Sequence, residues 1–163
     1  MALDTNVELL EQVPIFNGLS QEQIKAIAIK GKKVFFEAGA TIVAAGKTGK
    51  TAYLMLSGRA GSRPPLQSKL EREYLERGVL IGDLAMLVET VHSVDIVAED
   101  RVRVLSIERS DLFALMELDP SIAHHFSEKV TERLIFLARD LREVDARFAV
   151  LEASLDEAIA TAG

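Results

Sequence analysis

The pattern of apolar and polar positions divides the chain into three regions. Residues 4–12 and 20–28 have helical spacing, and Ser20 with Gln23 forms a capping box at the start of the second segment. From residue 32 to residue 107, the apolar runs become short and β-branched, and glycines separate them. Closely spaced short strands with glycine corners predict a β-sandwich or a β-barrel.

Alternation within the middle region predicts the individual strands. An exposed edge strand is predicted over 69–76, and Pro64 with Pro65 predicts a hairpin tip before it. The remaining strands are predicted at 33–36, 41–44, 52–56 and 101–107. A short helix is predicted from Ser110. Another is predicted from Pro120, because the first turn of a helix tolerates proline well.

The last segment has apolar residues in alternating steps of four and three over about four heptads. This seam consists of Val130, Leu134, Leu137, Leu141, Val144, Phe148, Leu151, Leu155 and Ala158. So long a seam favours a coiled coil over a helix packed on its own domain. The sequence therefore predicts a homodimer through this helix, and a division into a domain at 1–118 and a dimerisation helix at 119–160.

Composition limits the classes of function. The chain has 163 residues, of which 48% are hydrophobic and 27% charged, as is ordinary for a soluble globular protein. It contains no cysteine, which excludes disulfides and thiolate metal sites. The net charge of −6 argues against a general nucleic-acid-binding surface. No apolar run reaches the roughly 20 residues of a membrane span, so we expect a cytoplasmic protein without a membrane partner.

Residues 44–51, Ala-Ala-Gly-Lys-Thr-Gly-Lys-Thr, match a relaxed nucleoside-triphosphate loop. That chemistry needs a helix directly after the lysine and threonine, whereas a strand is predicted there. We therefore expect an inter-strand turn without nucleotidase activity. Its two lysines, Lys47 and Lys50, belong to a local basic cluster with Lys30, Lys32 and Lys33, which we interpret as a solvated sheet edge.

No arrangement of residues predicts an enzyme. His92, Ser93 and Asp95 lie within four residues, too close together to act as a separated nucleophile, base and orienting group. His124 and Glu128 are one helical turn apart, but no third metal ligand accompanies them. We therefore predict no catalytic residue and no metal site.

The stretch from Gly78 to Ala98 is organised around a glycine and an acid. Gly82 can adopt backbone angles closed to other residues, and Asp83 suits the first turn of a short helix. The N-terminus of such a helix attracts anions. From the residues alone, the stretch is either an ordinary strand–turn–helix connection or a phosphate cradle.

This stretch resembles the phosphate-binding cassette of the cyclic-nucleotide-binding domain, whose usual form is Gly-Glu-Leu-Ala-Leu-Leu followed by Arg-Ala-Ala-Thr-Val. The corresponding residues here are Gly82-Asp83-Leu84-Ala85-Met86-Leu87 and His92-Ser93-Val94-Asp95-Ile96. Val13–Ser20 and Tyr53–Gly58 resemble two further signatures of the family. From about residue 13 to residue 141 the chain is similar to the sensor domain of the catabolite-activator/FNR family.

The resemblance implies an α+β, mainly β fold: a double-stranded β-helix, or β-roll, of about eight strands with N-terminal helices and a long C-terminal dimerisation helix. It also implies a degenerate ligand site, which comprises Gly82, Asp83, Leu84, Ala85, His92 and Ser93. Asp83 replaces the ribose-binding glutamate, and His92 replaces the phosphate-binding arginine. The family's base-contacting polar residues are also missing from the long helix, which has an apolar run at 134–138. We refer to residues 82–93 as the cassette.

We therefore expect a dimeric regulatory or sensor module without a cofactor, in which binding of cAMP or cGMP is weak or lost. One alternative is a functional cyclic nucleotide sensor that uses Asp83 for the ribose and His92 with Ser93 for the phosphate. Another is a ligand-free dimeric assembly module with an unidentified protein partner. The family's transcription factors continue into a helix-turn-helix, whereas this chain stops at Gly163. We expect a stand-alone module or a truncated sensor domain, with no nucleic-acid binding through this chain alone.

Overall fold

The computed structural model describes residues 2–162, which form two compact units, one ending at His125 and the other beginning at Phe126. The first unit contains all the described strands and the first three α-helices, whereas the second is helical. This boundary falls inside the last helix. The functional division at 118/119 stays a prediction.

The helices and strands lie close to the segments predicted from the sequence. The helices are α1 (Ala2–Glu11), α2 (Gln21–Lys30), α3 (Arg109–Leu118) and α4 (Pro120–Ala162), and 3₁₀ helices cover Pro14–Phe16 and Asp83–Met86. The strands are β1 (Lys32–Phe36), β2 (Thr41–Val43), β3 (Thr48–Gly49), β4 (Thr51–Ser57), β5 (Ala60–Arg63), β6 (Tyr74–Leu75), β7 (Leu80–Ile81), β8 (Thr90–Val91), β9 (Asp95–Ala98) and β10 (Val102–Glu108).

The strands form two antiparallel four-stranded sheets and one small ladder. The sheet orders are β1-β10-β4-β7 and β2-β9-β5-β6, and β3 pairs with β8. Strands distant in sequence are neighbours in space, as expected for a double-stranded β-helix. Both sheets contribute to one core, formed by Ile42, Val43, Met55, Ala60, Ile81, Ala98, Val102 and Val104. The α+β, mainly β fold is confirmed. The described chain has ten strands instead of about eight, since the β3–β8 ladder was not expected.

The predicted capping box is present at the start of α2. Ser20 Oγ accepts a hydrogen bond from the Gln23 N–H at 3.2 Å, and Gln23 Oε1 accepts one from the Ser20 N–H at 2.9 Å. Gln23 Nε2 also donates to Asp119 Oδ2 at 3.0 Å, which ties α2 to the residue before α4. The cap therefore fixes the helix start and also contributes a contact between helices.

The edge strand predicted over 69–76 is wrong for most of its length. Only Tyr74–Leu75 is a strand. The preceding residue, Glu73, donates its N–H to the Ser62 side chain at 2.8 Å, and residues 69–71 would lie opposite positions beyond the end of β5 at Arg63. Arg72 instead pairs with Glu99, and its guanidinium lies 5.2 Å from the centre of the Tyr74 ring. The alternating charges in this segment belong to surface contacts, and no β-ladder extends through it.

Candidate functional site

The cassette opens with the glycine turn expected from its sequence. Gly82 has φ 69° and ψ 40°, in the left-handed region that favours glycine, and the 3₁₀ helix Asp83–Met86 follows directly. The Leu84 N–H donates to Asp83 Oδ1 at 2.8 Å. The predicted sharp turn and short helix are therefore confirmed, although the helix is a single 3₁₀ turn.

His92 follows β8, and its backbone is held by the segment that leads into β3. The His92 N–H donates to the Lys47 carbonyl at 3.0 Å, and the Gly46 N–H donates to the His92 carbonyl at 2.8 Å. The β3–β8 register pairs Thr48 with Val91. Lys47 and His92 are therefore opposite each other, and opposite residues of an antiparallel pair project from the same face.

The imidazole of His92 occupies space left by two glycines. A Cβ added to Gly49 would overlap with His92 Nε2, and one added to Gly82 would lie 3.4 Å from His92 Cε1. A Cβ on Gly49 would also lie 3.2 Å from the Cβ of Ala85. The structure thus brings Gly82, Ala85 and His92 together. The Ser93 side chain is exposed, and Leu84 is half-buried.

Arg109, the first residue of α3, fixes the cassette to β3. Its Nε donates to the Ala85 carbonyl at 3.0 Å, and its Nη2 donates to the carbonyls of Val88 at 3.0 Å and Gly49 at 2.7 Å. The Arg109 N–H also donates to the Lys50 carbonyl at 2.9 Å. Hydrogen bonds from a charged donor are stronger than neutral ones. Sequence reasoning missed this residue, because no local motif distinguishes an arginine at the end of a strand.

A cavity of about 290 Å³ lies between β2, residues 47–50 around β3, β4 and His92. Its apolar wall includes Ile42, Val43 and Tyr53, and its basic lining consists of Lys47, Lys50 and His92. Burial raises the pKa of the Tyr53 hydroxyl, which keeps the phenol neutral. The cavity therefore combines an apolar wall with side chains suited to an anion.

The second unit consists of the remainder of α4 and presents the predicted seam. The large seam side chains that are exposed are Leu134, Leu137, Leu141, Val144, Phe148, Leu151 and Leu155, and the small Ala158 is exposed as well. Val130 is half-buried. The predicted long helix from Pro120 is confirmed, and at about 1.5 Å per residue it is roughly 65 Å long. The seam forms a continuous apolar stripe along this helix.

Between residues 2 and 162, no helix combines the length and apolar character needed to cross a membrane. In the same part of the chain, no three histidine, aspartate or glutamate side chains come together as a metal site.

Fold and site together define a β-roll domain with a glycine-initiated cassette, whose His92 lines a small cavity. The family model for the cyclic nucleotide-binding domain matches residues 33–119. The chain belongs to the cyclic nucleotide-binding domain family, as the resemblance in its sequence implied.

Two of the relatives are named as a receptor and as a kinase regulatory subunit. The chain is 29% identical over 147 residues to the cyclic AMP receptor protein of Thermus thermophilus, covering 89% of this chain and 64% of that protein. It is 31% identical over 112 residues to the cAMP-dependent protein kinase regulatory subunit of Aspergillus niger, covering 66% of this chain and 26% of the relative. The chain thus spans less than two thirds of the length of either relative.

A solved structure supports the same fold. The N-terminal domain of a transcriptional regulator from Streptomyces coelicolor A3(2) matches with a TM-score of 0.72 at 21% identity, covering 82% of this chain and 94% of that domain. At this level of identity, the match establishes the fold.

Proposed function

We propose that the chain is a dimeric regulatory module that binds cyclic nucleotides only weakly and acts by binding rather than by catalysis. Relatives named as a receptor and as a kinase regulatory subunit support the regulatory role. The observation that carries the dimer is the exposed seam of α4. The observation that carries the weakened binding is that His92 stands where the family's cassette has its phosphate-binding arginine.

The exposed seam favours a second copy of the chain as its binding partner. Leu134 and Phe148 are 60% and 61% exposed, so each leaves most of its side chain in water. Burying one such side chain stabilises an interface by about 1.5–3 kcal/mol. A two-stranded coiled coil buries the same stripe on both helices.

Charges beside the seam have a smaller effect. In a parallel dimer Arg147 would face Glu152 of the other helix, which is favourable, whereas Asp140 would face Asp145, which is not. Exposed pairs of this kind contribute about 0.2–1 kcal/mol. The apolar seam therefore determines whether the dimer forms.

Light scattering on the full chain tests the dimer. Leu141→Glu with Phe148→Glu places two charges in the seam, and we expect this double variant to be a monomer. Ile135→Glu with Val150→Glu is the matched control, since both residues are exposed on the same helix but lie outside the seam. A wild-type chain that is monomeric at tens of micromolar, or a control variant that also becomes monomeric, contradicts the proposal.

Weakened binding follows from the cation that the cassette lacks. The glycine turn at Gly82 and the Arg109 contact with the Ala85 carbonyl support a cassette backbone that can still receive an anion. His92 stands where the family's cassette has its arginine, and its imidazole is shorter and lacks the forked guanidinium that binds a phosphate through two hydrogen bonds. Losing one charge-assisted hydrogen bond costs about 1.5–3 kcal/mol, which corresponds to about one to two decades of affinity.

A further inference from the structure

We propose that the pocket receives the phosphate group of a small phosphorylated ligand through Lys47 and Lys50, the two lysines that flank β3. These lysines line the same cavity as His92 and supply positive charge in place of the cassette's missing arginine. This inference rests on the proposed function, because it concerns the nucleotide binding that the loss of this arginine weakens. It assigns the anion-binding side chains to a segment that the sequence analysis interpreted as a solvated edge.

The backbone holds Lys47 in place beside His92. The two residues are opposite each other in the ladder, with the His92 N–H bonded to the Lys47 carbonyl at 3.0 Å. Asp95 Oδ1 accepts a hydrogen bond from the Ala45 N–H at 2.6 Å and thereby fixes the turn that leads to Lys47. The Lys47 side chain therefore extends from a held backbone on the same face as the imidazole.

Lys50 is held from the other side. Its carbonyl accepts a hydrogen bond from the Arg109 N–H at 2.9 Å, while Arg109 Nη2 binds the neighbouring Gly49 carbonyl at 2.7 Å. Both lysine side chains are exposed and both line the cavity. Their ammonium groups can therefore reach a ligand without first breaking the contacts that position the backbone.

The charge at the cavity is opposite to that of the whole chain. The chain carries 25 acidic and 19 basic residues. Among the described residues that line this cavity, Lys47, Lys50 and His92 are titratable bases and none is a carboxylate. Nearby Asp95 lies outside the lining, and its carboxylate is engaged by the turn. A concave site lined by basic residues raises the local concentration of anions, even though the chain as a whole is acidic.

The apolar wall indicates what else the ligand carries. Ile42 and Val43 are buried, and the half-buried Tyr53 ring packs edge-on against Phe36 with ring centres 5.9 Å apart. A cavity of about 290 Å³ lies just below the usual range for ligand sites, which is about 300–1,000 Å³. The site therefore fits a single phosphorylated sugar or nucleoside and is too small for a dinucleotide.

Amide NMR titrations of the full chain test the inference. The probes are cAMP, adenosine without a phosphate, and inorganic phosphate. We expect cAMP to shift the signals of residues 46–51 and His92, and adenosine to bind much more weakly. Lys47→Gln with Lys50→Gln should weaken cAMP binding at least about fivefold and reduce its salt dependence. Lys25→Gln with Lys30→Gln removes the same charge from exposed positions on α2 and should leave the affinity nearly unchanged.

The other outcomes separate the inference from the proposed function. If cAMP binds the lysine variant as well as it binds wild type, with shifts at 82–85, the lysine site is wrong and weak cassette binding stands. If inorganic phosphate gives the same shifts and the same loss in the variant, the lysine site stands with a free anion as its ligand. If no probe shifts any signal at millimolar concentration, the inference is wrong and the chain is a ligand-free assembly module, whose dimer is tested separately by light scattering.

Discussion

The imidazole of His92 lies directly against Gly49, in space that any larger residue at position 49 would fill. Gly49 is the last residue of β3, and His92 directly follows β8, the strand that pairs with β3. Their contact places the cassette histidine over β3. The φ angle of Gly49 is not positive. Glycine is therefore required at this position for space, and the backbone conformation there is one that other residues adopt.

Gly49→Ala should destabilise the β3–β8 region, because the added methyl group overlaps with the ring. We expect a loss of about 1–3 kcal/mol in the free energy of unfolding, measured with urea. His92→Ala in the same chain should remove most of that loss, since the overlap disappears. Equal losses with and without the His92 substitution would show that the two residues are not coupled.

Arg109→Gln should loosen the cassette, because one guanidinium binds three carbonyls. We expect a stability loss of about 2–4 kcal/mol, with faster hydrogen exchange in residues 83–92. Arg101→Gln is the matched control, since Arg101 forms an exposed ion pair with Glu37 at 3.5 Å and should cost less than about 1 kcal/mol. Unchanged exchange in the Arg109 variant would show that the cassette is held by other contacts.

Asp119 links stability to pH. Hydrogen bonds from Gln23 and from Ser121 lower the pKa of its carboxyl from 3.8. A depressed folded-state pKa stabilises the protein above the unfolded pKa, and that contribution is lost as pH falls through the folded value. Asp119→Asn should therefore be less stable than wild type near neutral pH, and the difference should shrink below about pH 4.

Urea unfolding at several pH values measures this difference. Glu117→Gln is the matched control, since it removes an exposed carboxyl two residues away on α3 and should change the stability little. A difference in the free energy of unfolding between wild type and Asp119→Asn that stays constant from neutral to acid pH would contradict the lowered pKa of Asp119.

The features predicted from sequence are those that local patterns encode. The capping box of Ser20, the glycine turn at Gly82 and the periodicity of α4 each depend on residues within a few positions of one another. The family resemblance added the topology, which local patterns do not specify. The same local reasoning failed at residues 69–73, where alternation was present but the ladder with β5 ends after Tyr74 and the Glu73 N–H goes to the Ser62 side chain.

The site details that sequence reasoning missed are contacts between distant segments. Arg109 binds carbonyls 21, 24 and 60 positions away. The space for His92 depends on Gly49 on another strand. From the sequence alone, Lys47 and Lys50 are interpreted as part of a solvated sheet edge. Their position near His92 depends on the pairing of β3 with β8, which no local pattern predicts.

The central claim is that the β-roll retains its cassette but has lost the cation that gives high affinity. Calorimetric titration of wild type and His92→Arg with cAMP and cGMP tests it most directly. We predict weak binding by wild type and an affinity at least about tenfold higher for His92→Arg, as expected for one regained charge-assisted hydrogen bond. Tight wild-type binding that His92→Arg does not improve, or a His92→Arg chain that binds neither nucleotide at millimolar concentration, would contradict the claim.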